Sequence, residues 1–258
     1  MKLKKQKPLI SILMAAYNSE KTIRYAIDSV LVQTFHDWEL LIIDDCSADN
    51  TLNVAESYKD TRIRILKNDR NCGVSLTRKK GLDAAEGDWI AVLDSDDMWA
   101  PDKLEKQLAL VRLTDAALVF TGSAFIKTDG MPIDWQLHVP DRLNHHELLK
   151  QNLISNSSVL VKTDLYRKYY AIGDEIHEDF AIWIGITQEG KLAYGIDEPL
   201  LIYRISQSSK SGDKIKSAKM NWNTYRYVGI PPTKAAYYMC WYIVNGLLKY
   251  RHLKLHAF

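Results

Sequence analysis

Apolar runs alternate with amphipathic stretches over the first 115 or so residues. Residues 9–16, 38–43 and 89–93 are mostly apolar, and residues 62–66 alternate apolar with basic. Short apolar runs bounded by polar turns mark buried strands. Between them, Ile23, Ala26, Ile27, Val30 and Leu31 recur at helical spacing. Residues 51–58 predict a short helix. Residues 74–86 predict another, with Gly87 as its C-terminal stop. Residues 101–113 predict a fourth, with Pro101 in its first turn and Leu104, Leu108 and Val111 on one face. This strand–helix order predicts an α/β fold with a mostly parallel sheet flanked by helices.

The rhythm changes after about residue 117. Residues 117–126 and 157–162 predict strands, joined by a loop-like stretch holding Gly130, Pro132 and Pro140. Residues 177–188 predict a helix, and 191–196 and 199–205 two short strands. Residues 214–228 and 234–250 predict helices, divided by Gly229-Ile230-Pro231-Pro232. The expected organisation is one domain in two halves, 8–125 and 126–205, with a helical appendage over 206–258.

Composition narrows the class. The chain has 258 residues, 47% hydrophobic and 26% charged, as ordinary globular proteins do. No apolar run reaches the roughly 20 residues of a spanning helix. The basic start leads into a strand and has no signal-peptide core. Cys46, Cys72 and Cys240 are odd in number and far apart, so neither a zinc site nor a redox pair is expected, and a reducing cytoplasm is. The net charge of +2 hides an asymmetry: from Arg204 onward ten Lys/Arg face one acid, with nine aromatics, against a balance of −7 before. A basic aromatic tail suits an anionic membrane surface, or is a helix docked on the domain or a partner subunit. No nucleic-acid-binding fold frames it.

The chemistry gathers at predicted strand ends. Residues 89–97 run from Trp-Ile-Ala-Val-Leu into Asp94-Ser95-Asp96-Asp97. Clustered carboxylates repel unless a cation or donors offset them. The Asp94/Asp96 spacing puts both side chains on one side of an extended segment, where they can hold a hard cation bridging a diphosphate; alone, the run reads as a solvated acidic turn. Ala15 and Ala16 let a ligand approach the backbone, and Tyr17 offers a face for a base or plugs the sheet edge. Asp44-Asp45 can accept the imide N–H of uracil or cap a helix. Glycine-rich dinucleotide and P-loop motifs are absent.

Several segments together resemble glycosyltransferase family 2, inverting enzymes of GT-A (Rossmann-like) fold. They are Pro8-Leu-Ile-Ser-Ile-Leu-Met-Ala-Ala-Tyr-Asn, Glu39-Leu-Leu-Ile-Ile-Asp-Asp-Cys-Ser-Ala-Asp-Asn-Thr, Asn71-Cys-Gly-Val-Ser-Leu-Thr-Arg, and Ala85-Glu-Gly-Asp-Trp-Ile-Ala-Val-Leu-Asp-Ser-Asp-Asp. The resemblance is dense over residues 8 to about 115. It implies Tyr17 beside the uracil, Asp45 accepting its N3–H, Asp44 supporting the turn and Arg78 near the nucleotide, with Ala15 and Ser95 also in the nucleotide site. It implies Asp94 on the ribose, Asp96 holding Mn2+ or Mg2+, and Asp97 organising the loop. It also implies Asp179 as the base with Glu178 beside it, although acids at a helix start are favoured in any case. Trp99, Trp183 and Arg204 are candidate donor or acceptor contacts, Trp183 being equally a core residue; Lys210 is a second basic candidate. Two departures stand out: the family often has Gly at Cys46, and Arg-Asn at Arg78-Lys79.

The activity implied is metal-dependent transfer of one sugar, with inversion, from a UDP-sugar to a lipid-linked glycan at the inner face of the cell membrane. The rivals are a nucleotide-sugar-binding regulator and a sugar nucleotidyltransferase. The intact acidic sets speak against the first, and the missing glycine-rich basic start against the second.

Overall fold

Strand β1 (Ile10–Ala16) runs parallel to β2 (Trp38–Asp44) on one side and to β4 (Trp89–Val92) on the other, and β3 (Ile63–Lys67) extends the ladder beyond β2. Both faces of these strands are covered, which is why they read as apolar runs. The computed structural model describes the backbone of residues 7–205 and 214–256, and the side chains of 7–205 and 215–245.

Successive side chains alternate between two cores. Leu13, Leu41, Ile43 and Val92 point to one, where Leu82 of α3 (Val74–Ala84) packs. Ile12, Met14, Leu40 and Ile42 point to the other, against Ile23, Ala26 and Ile27 of α1 (Ile23–Leu31) and Leu104 and Leu108 of α4 (Lys103–Thr114). Helix α2 (Thr51–Glu56) joins β2 to β3. Gly87 does not stop α3, which ends at Ala84. Gly87 instead lies against β1, where a Cβ would come within 2.4 Å of Ser11 N.

The parallel order ends at β4. Strand β9 (Leu160–Lys162) lies antiparallel between β4 and β6 (Leu118–Ile126), and β6 is parallel to β10 (Ala193–Arg204). The sheet is therefore mixed in its second half. The two short strands expected over 191–205 are one strand, β10, whose register against β6 slips between Ile196 and Leu201. Strand β5 (Met98–Trp99) pairs with β10 beyond the acidic turn. The loop-like stretch holds β7 (Pro132–Leu137), β8 (Arg142–Leu143) and α5 (His145–Lys150). Pro132 opens β7, an edge strand, where a missing N–H is harmless.

Helices α6 (Thr163–Tyr169) and α7 (Glu178–Gln188) complete the body; α8 (Lys214–Tyr227) and α9 (Pro232–His256) follow. The described part of the tail docks on that body. Tyr225 of α8 is buried, donates to Leu149 O at 2.6 Å and packs on Phe180 at 5.8 Å between ring centroids. Among the described residues no helix is long and apolar enough to cross a membrane.

Candidate active site

Strands β1, β2 and β4 end at one edge, with Ala16 opposite Asp44 and the Leu93 amide bonded to Leu13 O. In sheets of this kind, ligands bind outside the carboxyl ends of the strands. The turns leaving β1 and β2 are stitched together. The amides of Asn18, Ser19 and Glu20 donate to Ser47 Oγ, Thr51 Oγ1 and Asp49 Oδ2, and those of Ala48 and Asn50 donate back to Asn18 Oδ1 and Glu20 Oε2. Ala15 is the partly buried penultimate residue of β1, and Tyr17, which follows the strand, is half exposed.

The two aspartates at the end of β2 differ. Asp45 accepts from Asn68 Nδ2 (2.8 Å) and the amides of Cys72 and Gly73 (2.9 Å each). Burial pushes its carboxyl up, but these bonds outweigh burial and hold it below the ordinary range. Among the described residues Asp44 accepts only from the Ser47 amide, through Oδ2 at 3.2 Å, and its buried Oδ1 has no partner there. Asp45 thus ties down the 68–73 loop, while Asp44 Oδ1 has no partner among the described residues.

Arg78 points inward from α3. Its buried guanidinium reaches Asp94 at 2.8 Å and Glu178 at 3.5 Å. Burial alone lowers its pKa, but the carboxylates, Asp94 first, reverse the shift and keep it charged. Glu178 and Asp179 start α7, so this contact draws the acidic loop and the acidic helix start into one site. Burial and the Glu178 charge raise Asp179, against weaker pulls from His177, the Phe180 amide and Arg78.

In the acidic loop, Ser95 Oγ meets Ser19 Oγ at 2.8 Å, tying the loop to the ledge. Burial, with Asp94 next, pushes Asp96 up to about 6. Its carboxylate takes no hydrogen bond from any described side chain. Asp97 is buried, and its carboxyl is raised by that burial and by Asp96 and Asp94; its Oδ1 accepts the Arg204 amide at 3.0 Å. No three His, Cys, Asp or Glu side chains converge on a metal position among the described residues.

Three expected contacts are scaffold instead. Trp99 is buried and donates to Ser157 O at 2.7 Å. Trp183 is fully buried, with its ring 6.1 Å from that of Tyr166. Arg204 folds over the acidic loop, donating to Asp96 O at 3.0 Å and Thr128 O at 3.2 Å. Among the described residues the hydrogen bonds of its guanidinium go to backbone carbonyls. Lys210 lies outside the described residues. Ser157, which accepts the Asp94 amide at 3.1 Å, and Asn68 had no local signal in the sequence.

Residues 11–174 match the model of Glycosyl transferase family 2, and the chain belongs to that family. It is 36% identical to the putative teichuronic acid biosynthesis glycosyltransferase TuaG of Bacillus subtilis, over 86% of this chain and 89% of that protein. It is 33% identical to WfgD of Escherichia coli, a UDP-Glc:alpha-D-GlcNAc-diphosphoundecaprenol beta-1,3-glucosyltransferase, over 94% of this chain and 95% of that one. Its fold matches residues 1–349 of TarS from S. aureus, solved with UDP-GlcNAc, at a TM-score of 0.71 and 17% identity, covering 89% of this chain and 70% of that one. The GT-A fold expected from the sequence is thus the observed one, and the protein is a glycosyltransferase.

Proposed function

We propose that the protein transfers one sugar from a UDP-sugar to a hydroxyl of a lipid-linked glycan, with inversion, at the inner face of the cell membrane. The observation that carries this reading is Arg78, whose guanidinium joins the donor-side Asp94 to Glu178 beside the base. The WfgD likeness supports the donor and the lipid-linked acceptor.

In this reading Tyr17, Ala15 and Ser95 line the nucleotide, Asp44 accepts the uracil imide N–H and Asp94 meets the ribose. Asp96 fits a divalent cation, Mn2+ or Mg2+. It is a hard oxygen donor that takes no hydrogen bond from any described side chain, and such ions take one or two carboxylates plus substrate phosphates. Bound there, such an ion would supply charge neutralisation for a departing diphosphate. Asp179 takes the proton of the acceptor hydroxyl as its oxygen bonds to the anomeric carbon. The bond from that carbon to the diphosphate breaks on the opposite face, and UDP leaves. Arg78 keeps Glu178 and Asp94 in place during the step.

The test is incubation of the chain with UDP-glucose and a GlcNAc-diphosphate-lipid, with and without Mn2+. A β-linked disaccharide-lipid, formed only with metal, is expected. UDP binding without any transfer to this or other GlcNAc-lipid acceptors would favour the regulator.

A further inference from the structure

We infer that the outward face of α9 is the surface by which the chain seats on an anionic lipid bilayer. The inference rests on the lipid-linked-acceptor reading and adds the contact surface to it. Helix α9 has two distinct sides. The inner side is committed to the protein: Tyr238 OH meets His146 Nδ1 at 2.9 Å, Tyr242 OH meets Ser217 Oγ at 3.1 Å, and Asn245 donates to Lys150 O at 3.3 Å. The outer side turns Tyr237, Trp241, Ile243 and Val244 to solvent, 49, 39, 52 and 50% exposed, with Ala236 and Cys240 among them. Tyr237, Trp241 and Val244 recur at i, i+4 and i+7, which is one stripe.

A contiguous apolar stripe on a surface marks a contact. Its surroundings select the occupant. From Lys214 to its end the sequence carries eight Lys/Arg and no Asp or Glu. The ammonium of Lys150 lies 5.2 Å from the Trp241 ring, and Lys234 is exposed at the start of the helix. Aromatics flanked by lysines suit the headgroup level of a bilayer containing anionic lipid. A second copy of this chain would set the same positive charge against itself.

The inner side connects this surface to the chemistry. Ser217, which meets Tyr242, also offers its carbonyl to His177 Nε2 at 3.2 Å, and Thr224 Oγ1 accepts the His177 amide at 2.9 Å. His177 is the residue before Glu178 and Asp179. A bilayer under α9 would therefore face an element joined, through Ser217 of α8, to the residue that precedes the base helix.

The test is sedimentation of the full chain with vesicles of phosphatidylglycerol and phosphatidylcholine, and with phosphatidylcholine alone. The chain is expected to pellet with the first far more than with the second. A Tyr237→Ser/Trp241→Ser/Val244→Ser variant should lose at least about tenfold in affinity for the anionic vesicles, because interfacial burial is gone. Its UDP affinity, read by calorimetry, should not change. If the triple variant melts early, Val244→Glu, at an exposed position, should weaken the same binding. Wild-type chain left in solution by anionic vesicles, or variants that pellet like wild type, would overturn the inference. So would a wild-type dimer that the triple variant resolves into monomers. Failure of the functional reading is seen separately, as no UDP binding or as UDP binding without transfer to a GlcNAc-lipid acceptor.

Discussion

Asp44 and Asp45 are neighbours of identical chemistry, yet Asp45 is bonded through both carboxylate oxygens while Asp44 keeps one buried oxygen without a donor among the described residues. Adjacent residues at a strand end face opposite ways, so one can serve the fold and the other a ligand.

Asp44→Ala should therefore weaken UDP with little loss of stability. A hydrogen bond to a charged group contributes about 1.5–3 kcal/mol, roughly ten- to a hundredfold in affinity. Calorimetry with UDP checks it, and UDP affinity equal to wild type would refute the assignment.

Asp45→Asn should instead lower the melting temperature. The folded carboxyl titrates below its ordinary value, so its stabilisation is present above about pH 3.9 and fades as pH falls through the lowered folded value. The gap between variant and wild type should then close in acid. A gap independent of pH would show that shape, not charge, is what the loop needs.

Asp179→Asn should leave UDP binding near normal and slow transfer by at least about 10²-fold, the low end for general-base catalysis. Because the Asp179 pKa is raised, wild-type activity should fall with decreasing pH at values above the ordinary carboxylate range. The groups facing it are Glu178, His177, Arg78 and Tyr166. Removing the like charge in Glu178→Gln should move this acid limb to lower pH. A limb that stays put would mean another group titrates.

Arg78→Met leaves Glu178 and Asp94 without their shared cation. Losing one partner of a buried pair costs about 3–5 kcal/mol, and partial exposure of Asp94 reduces this to roughly 1–3 kcal/mol. Denaturant unfolding measures it. Unchanged stability would show that the guanidinium is not what unites the two acidic sets.

Cys46 has a φ of 61°, a left-handed backbone that costs an L side chain energy. Glycine, which the family often carries there, relieves that strain but adds freedom to the unfolded chain. Cys46→Gly should stabilise by up to about 1 kcal/mol, and Cys46→Val should destabilise. Melting temperatures of the two variants decide it.

The first half of the fold was readable because both faces of β1, β2 and β4 are buried, which leaves continuous apolar runs. Strand β7 was not, because an edge strand with one exposed face, opened by Pro132, looks like loop. The β10 slip at residues 196–201 likewise read as a break between two strands. In the site, the Asp94-Ser95-Asp96-Asp97 run and Glu178-Asp179 stand out in the sequence by motif and position, and the fold brings Asp94 and Glu178 to one guanidinium, that of Arg78. Trp99, Trp183 and Arg204 were misread because an aromatic or a cation near a motif looks the same whether it faces the ligand or the scaffold. Nothing local links Arg78 to Glu178, a hundred positions away.

Strand β9 gives the division into halves a different meaning. Three residues, Leu160–Lys162, hydrogen-bond to β4 on one edge and to β6 on the other. The sheet of the nucleotide half is thus closed by a segment that the chain makes only after β6, β7 and β8. Neither half completes its ladder without residues 160–162, so this one segment joins the two. A chain released at residue 125 would present β4 with a bare edge, and the boundary that is convenient for describing function is not a seam along which the molecule can be cut.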